Sequence, residues 1–131
     1  MFYNWCLNMM FRNFIEFETR SGDYTDITDP IKDAIKECMI KQGMCNLFIV
    51  GTTAGIILNE NDKLLISDFK KLHSNIANKD DMYAHPDNAH SHLRAALIGN
   101  EKNIPIADGK LILGTWQSIL FCEFDTRDRK R

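Results

Sequence analysis

The chain has 131 residues, a length that favours one domain with one modest core. It carries 16 Lys and Arg against 18 Asp and Glu, and this net charge of −2 gives no overall attraction to nucleic acid. No apolar run approaches the length of a membrane span, and the apolar N-terminus lacks the basic stretch of a secretory signal. We therefore expect a cytoplasmic protein without nucleic-acid or membrane partners, whose basic C-terminal residues form a solvated tail or strand end.

The first half of the chain predicts strands around one helix. Alternation over residues 10–19 predicts a half-buried strand, and a second strand begins at YTDI. Thr28 is placed to cap a helix that has Pro30 in its first turn and ends at Gly43. The run CNLFIVGTTAGIIL is apolar on both faces, so we expect a central strand that its glycines divide or bend.

The second helix begins near Asn61 or Asp62, and His73 is expected on its surface. A polar loop over residues 77–88 leads to a short helix that Gly99 ends. The predicted buried stripes of these two helices comprise Leu65, Phe69, Leu72 and Ile76 in the first and Ala89, Leu93, Ala96 and Leu97 in the second.

The C-terminal third reads as a strand, a hairpin turn at Asp108–Gly109 and a long strand bent at Gly114. The whole order is roughly two strands, a helix, two strands, two helices and three strands. Hairpin-linked strands of this kind predict an α+β fold with two layers, in which helices pack on one face of a mainly antiparallel sheet.

The stretch NAHSHLRAALIG concentrates residues with chemical potential. In a helix His90 and His92 point about 200° apart, whereas His90 and Arg94 share one face. A metal site therefore does not follow from the spacing alone. His85, on the preceding loop, is free to join either histidine, and zinc suits imidazole ligands. The alternative is that these histidines are capping or hydrogen-bonded groups at a helix start.

Two further segments suit an anion. The N-terminus of the short helix and Arg94 together favour a phosphate or carboxylate. Thr52 and Thr53 offer hydroxyls in a glycine-flanked turn that lacks a P-loop ending, so a kinked strand is the alternative. In GTWQS, Thr115 and Gln117 are expected on one strand face, with the intervening tryptophan pointing into the core.

The segments NLFIVGTTAGIILNEN, NAHSHLRAALIG and PIADGKLILGTWQSILFCEF together resemble the YjbQ-like family, from about Met10 to the end. The most specific feature is the pairing of HSHLRAALIG with DGKLILGTWQ about ten residues later. The resemblance implies an α+β homotrimer with sites near subunit interfaces. It also implies a secondary thiamine-phosphate synthase, which joins hydroxymethylpyrimidine diphosphate to thiazole phosphate and releases pyrophosphate.

The resemblance carries roles to matching residues. His92 and Arg94 match the histidine and the following basic residue of the family and are the expected catalytic pair. Zinc or another divalent metal, where present, would bind His85, His90 and His92. The groups expected to hold the phosphate-containing substrate are Thr52, Thr53, Arg94, Thr115 and Gln117.

The chain also departs from the family pattern. Gly51 occupies a place where many members have histidine, which removes one ligand. Residues 1–9 look like an extension of a single domain over residues 1–131, and a final family strand is expected to be missing after Arg131. Two other functions stay open, namely a non-catalytic trimer that binds a metal or phosphometabolite and a metal-dependent hydrolase.

Overall fold

The computed structural model describes residues 10–131 and has the predicted α+β class with antiparallel sheets. Its helices are α1 (Thr28–Cys38), α2 (Lys63–Ile76) and α3 (Ala89–Ile98). Its strands are β1 (Glu18–Thr19), β2 (Tyr24–Asp26), β3 (Gln42–Phe48), β4 (Ala54–Asn59), β5 (Glu101–Ala107), β6 (Lys110–Leu111), β7 (Ser118–Glu123) and β8 (Arg129–Lys130). No helix in this part of the chain is long and apolar enough to cross a membrane.

Strand β7 organises the fold because it lies between β2 and β4 and is buried on both faces. Ile119 and Phe121 face the main core, which also contains side chains of α1 and of the β3-β5-β6 sheet. Cys122 faces the other way and packs with Phe124 against Ala95 of α3. Helices α1 and α3 therefore flank β7, whereas we expected them on one face of the sheet.

The run that was expected to form a central strand is divided into β3 and β4. The sequence had left open whether the glycines divide this strand or bend it. Both halves lie at sheet edges, and the inner positions belong to β5 and β7. The prediction of a central position was therefore wrong. The apolar run also did not indicate two covered faces throughout, because β4 begins with three buried residues whereas most residues of β3 are exposed.

Both predicted boundaries of α1 differ from the structure. Ile27, rather than Thr28, is the N-cap residue and has no capping side chain, and Asp26 just before it accepts hydrogen bonds from the N–H and hydroxyl of Thr28. The hydroxyl of Thr28 in turn accepts the N–H of Ile119 at 2.8 Å. The helix ends before Met39, which has a φ of 55°, so Gly43 falls within β3. Pro30 does lie in the first turn, as predicted.

The predicted strand over residues 10–19 reduces to β1 at Glu18–Thr19. Just before it, Phe17 exchanges two backbone hydrogen bonds with Arg131, at 2.8 and 2.9 Å. Sequence alternation shows which side chains share a face, but it does not supply a partner strand. The preceding residues of the described chain have none, so they stay irregular.

Helix α2 begins after Asp62, as predicted, but its buried side is rotated from the predicted stripe. His73 is 2% exposed, whereas Leu72 and Ile76 are half exposed. Rings of Tyr24, Phe69 and Phe124 surround His73, and this aromatic packing places it inside.

Helix α3 ends at Gly99, as predicted, but it buries a different face. Ser91 and Ala95 are buried, whereas Leu93, Ala96 and Leu97 lie exposed. Its last turn contacts the sheet closely, because a Cβ added at Gly55 would lie 2.8 Å from the Ile98 side chain.

The GTWQ segment is a turn between β6 and β7, where we expected a bent strand. The Trp116 side chain is 74% exposed, so its predicted place in the core was wrong. Gln117 instead folds back and accepts the N–H of Gly114 at 3.0 Å. The hairpin at Asp108–Gly109 is confirmed, since both residues have positive φ, at 52° and 74°.

Two carboxylates are buried where β7 ends. Both carboxylate oxygens of Glu123 accept hydrogen bonds from Arg131, at 2.6 and 2.7 Å, and the side chains of this pair are 0% and 8% exposed. Asp125 pairs with Arg129. Burial acts to raise the pKa of Asp125, but hydrogen bonds and the charge of Arg129 hold it below its usual value. The basic C-terminal cluster is therefore a strand end held by ion pairs.

Replacing Arg131 with Met leaves the Glu123 carboxylate buried without its cation. Removing one partner of a buried pair costs about 3 to 5 kcal/mol, so we expect a loss of that order in the free energy of unfolding. Urea unfolding measures this loss. Lys130→Met is the control, because its pair with Glu16 is mostly exposed and its loss is expected to be much smaller. Equal losses in the two variants would contradict this account.

Candidate functional site

A cleft of about 370 Å³ lies beside α3. Five parts of the chain surround it: the start of β2, α2, the loop between α2 and α3, α3 itself and the end of β7. Its lining residues are Ser21, Gly22, Tyr24, Lys70, Lys79, His90, Arg94, Glu123, Phe124, Asp125 and Thr126. The cleft is thus built from both ends of the chain and from its middle.

The first turn of α3 is fastened to the end of β7. The hydroxyl of Ser91 donates to the carbonyl oxygen of Phe124, and the amide of Asn88 lies 3.4 Å from Asp125. These contacts fix the rotation of the helix about its axis. As a result His90 and Arg94, one turn apart, both face the cleft.

Arg94 is held by the preceding loop. Its Nε and Nη2 atoms donate to the carbonyl oxygen of Ala77, at 2.9 and 2.7 Å, where α2 ends. Within the described chain Nη1 has no hydrogen-bond partner. The guanidinium is therefore oriented by the protein while one of its edges stays available to a ligand.

Positive charge predominates in the cleft. Lys70 and Lys79 form no ion pair with any carboxylate of residues 10–131. The two acids of the lining, Glu123 and Asp125, are already paired with Arg131 and Arg129 near the end of the chain. Two lysines and Arg94 therefore remain to act on a bound molecule, and an anion is the ligand that they favour.

One residue of the wall, the half-buried Tyr24, is bonded to the buried His73. The hydroxyl of Tyr24 is hydrogen bonded to Nδ1 of His73, and the two rings are stacked. Burial raises the pKa of Tyr24, so this phenol stays protonated. Burial and the charge of Arg94 lower the pKa of both His73 and His90, which favours neutral imidazoles.

The three candidate metal ligands do not lie together. His90 is buried beside the cleft, whereas His85 and His92 face a shallow surface on the other side of α3, with ring centroids 5.3 Å apart. This separation agrees with the angle expected from a helix. Residues 10–131 contain no group of three side chains placed to hold a metal, so the three histidines do not fit such a site within one chain. The zinc assignment stays a prediction.

The other candidate binding residues lie outside the cleft. Thr53 is 4% exposed, and its hydroxyl is already bonded to Asp125 and Arg131, at 3.2 and 2.8 Å. Thr52 and Thr115 are exposed, and Gln117 is engaged in its own turn. Their proposed contacts with substrate therefore stay predictions, and only His90 and Arg94 of the predicted set reach the cleft.

Sequence reasoning missed most of the cleft wall. Lys70, Lys79 and Tyr24 come from three separate segments, and no spacing rule connects them. His73 left a signal that could have been used, because Ile66, Phe69 and His73 recur at helical spacing and so share one face of α2. On this face His73 packs against the rings of Tyr24 and Phe124.

Comparisons with known proteins give a consistent result. A family described as UPF0047 protein YjbQ-like matches residues 13–131. A UPF0047 protein of Methanocaldococcus jannaschii is 36% identical over 126 residues, which cover 95% of this chain and 91% of the relative. One from Methanothermobacter thermautotrophicus is 35% identical over 116 residues and covers 86% and 81%.

Solved structures agree with the curated relatives. An uncharacterised YjbQ/UPF0047 protein of Clostridium acetobutylicum is similar with a TM-score of 0.80 and 39% identity, covering 89% of this chain and 95% of the other. A protein of unknown function from Sulfolobus solfataricus has a TM-score of 0.82 and 31% identity, covering 88% and 90%.

The buried histidines predict a pH dependence of stability. The folded-state pKa values of His73 and His90 lie below the 6.5 of a free imidazole. As the pH falls below 6.5, the unfolded chain therefore binds protons that the folded chain still excludes. We expect the free energy of unfolding to decrease as the pH falls from 6.5 through the folded-state pKa values. Urea unfolding between about pH 5 and about pH 8 measures this slope. The double variant His73→Gln/His90→Gln should flatten the slope, and an unchanged slope would contradict the assignment.

Proposed function

This chain belongs to the YjbQ-like UPF0047 family, and from that premise we propose that it is a transferase whose phosphate-bearing substrate binds in the cleft beside α3. The observation that supports the proposal is the set of three cations at the cleft, Lys70, Lys79 and Arg94, which have no carboxylate partner among residues 10–131. Phosphate groups are the ligands that such a set recognises through charge-assisted hydrogen bonds.

The proposed reaction is the one implied by the resemblance to secondary thiamine-phosphate synthases. The bond between the pyrimidine methylene carbon and the diphosphate oxygen breaks, and the thiazole nitrogen bonds to that carbon. Negative charge then develops on the departing pyrophosphate. Arg94 and the two lysines are suited to stabilise this charge, since they are positioned before the reaction begins.

The chain's own groups carry this scheme without a metal step. His90 lies beside the cleft, and its lowered pKa keeps the imidazole neutral near pH 7, so it can accept a hydrogen bond from substrate. His92 faces the other side of α3. Its proposed catalytic role, like those of Thr52, Thr115 and Gln117 in binding, therefore requires a neighbouring subunit.

We also propose that the protein assembles as a homotrimer, through apolar side chains that a lone subunit leaves exposed. On α3, Leu93 and Leu97 are 49% and 61% exposed, and on β3 Phe48 is 61% exposed. Apolar side chains grouped on one helix face and on an edge strand are typical of surfaces that another protein chain covers.

The free thiols of the three described cysteines suit a reducing, cytoplasmic setting.

Removing cations of the cleft should weaken phosphate binding and lower the activity. We expect Arg94→Ala, and separately Lys70→Met/Lys79→Met, to weaken the binding of inorganic phosphate and of pyrophosphate about tenfold or more, because each loses charge-assisted hydrogen bonds. Isothermal titration calorimetry measures the binding. Formation of thiamine phosphate from hydroxymethylpyrimidine diphosphate and thiazole phosphate measures the activity, which should fall in the same variants.

The control is Lys71→Met, which removes a lysine from an exposed position of α2 outside the cleft. Unchanged phosphate binding in the cleft variants would contradict the proposed site. Binding without turnover would favour a non-catalytic binding protein, and phosphate release without an acceptor would favour a hydrolase. Running the assay with and without zinc separates metal-dependent chemistry from the metal-free scheme.

The assembly is tested by light scattering during size-exclusion chromatography. We expect a mass of three times the 15.1 kDa chain for the wild type. The variant Leu93→Glu/Leu97→Glu should dissociate, because charged groups would have to be buried at the interface. Glu37→Lys, on an exposed position of α1, is the control that should keep the wild-type mass. A wild-type monomer would contradict the proposal.

A further inference from the structure

We propose that the ligand of the cleft carries a hydrogen-bond donor, an O–H or N–H group, close to its phosphate, and that the oxygen of Tyr24 accepts this donor. The inference rests on the proposed phosphate binding and adds the chemistry of the rest of the ligand. It makes Tyr24 a residue that determines specificity. The reason is that the hydroxyl groups of the cleft wall already donate their protons to protein acceptors.

The first step is the direction of the bond between Tyr24 and His73. The phenol is a stronger acid than the N–H of a neutral imidazole, and the unprotonated imidazole nitrogen is a stronger base than the oxygen of a neutral phenol. The hydroxyl of Tyr24 therefore donates, and Nδ1 of His73 accepts. His73 is 2% exposed among aromatic rings, and burial lowers its pKa, which favours the neutral ring. Since Nδ1 accepts the bond from Tyr24, the one proton of this neutral ring is on Nε2.

The second step concerns a second hydroxyl of the cleft lining, which belongs to Ser21. Its hydroxyl donates to the carbonyl oxygen of Asp125 at 2.6 Å. Ser21 and Tyr24 both line the cleft, and the hydroxyl of each already donates its proton to an acceptor within the protein. A hydroxyl that already donates its proton can still accept a hydrogen bond through the lone pairs of its oxygen. This wall therefore offers acceptors.

The third step is the distance between this wall and the cations. The Nζ atom of Lys70 lies 5.6 Å from the centroid of the Tyr24 ring. A phosphate at the lysine and a donor group at the tyrosine thus fit within one small molecule, and the volume of about 370 Å³ suits such a ligand. The cleft is then complementary to a hydroxylated or aminated phosphate ester rather than to a purely alkyl one.

The test compares two phosphate esters of equal length, 3-hydroxypropyl phosphate and n-butyl phosphate, by isothermal titration calorimetry. Wild-type protein should bind the hydroxylated ester about three- to tenfold more tightly, the range of one net hydrogen bond. Tyr24→Phe should lose this preference and bind inorganic phosphate as the wild type does. Tyr83→Phe is the matched control: its hydroxyl donates to Asn78 outside the cleft, so the preference should remain.

A second measurement does not depend on a ligand. Nitrogen-15 NMR of the wild type should find Nε2 of His73 protonated and Nδ1 unprotonated, and the opposite tautomer would overturn the inference. Equal binding of the two esters would also overturn it, while binding of inorganic phosphate would leave the proposed function intact. If inorganic phosphate itself does not bind, the proposed function fails and the inference fails with it.

Discussion

The burial of two carboxylates at the end of β7 is the constraint on which the rest of the structure depends. Glu123 and Asp125 cannot stay ionised in the interior without cations, and these are supplied by Arg129 in β8 and by Arg131 just after it. Meeting this requirement brings the last strand back beside β1. It also orders the turn before β4, because Thr53 bonds to two of the four residues of these pairs, Asp125 and Arg131.

The same network sets the electrostatics of the cleft. Glu123 and Asp125 reach the lining, so left unpaired they would oppose the charge of the lysines and Arg94. Because Arg129 and Arg131 neutralise these two carboxylates, positive charge predominates in the cleft. Asp125 also contacts Asn88 at the start of α3, so the residues that balance the charge also orient the helix that carries Arg94.

The sequence predicted those features that depend on neighbouring residues. The hairpin at Asp108–Gly109, the start of α2 and the helix at the histidines follow from local backbone chemistry, and so did the angle that separates His90 from His92. The faces of α2 and α3 could not be predicted in this way. An apolar stripe indicates burial without saying whether the core or another chain covers it, and Leu97 lies on such a stripe.

The cleft itself could not be read from the chain because Tyr24, Lys70 and Lys79 meet only through tertiary packing. The pairing of β2 with β7 also has a consequence for how the protein forms. Tyr24 lies opposite Cys122, so the sheet formed by β2, β7 and β4 joins segments that are far apart in the sequence. During synthesis, β7 can join this sheet only after most of the polypeptide has left the ribosome. Contacts between residues so distant in sequence make folding slow. Until then β4 lacks its partner, which gives chaperones a stretch of apolar strand to bind.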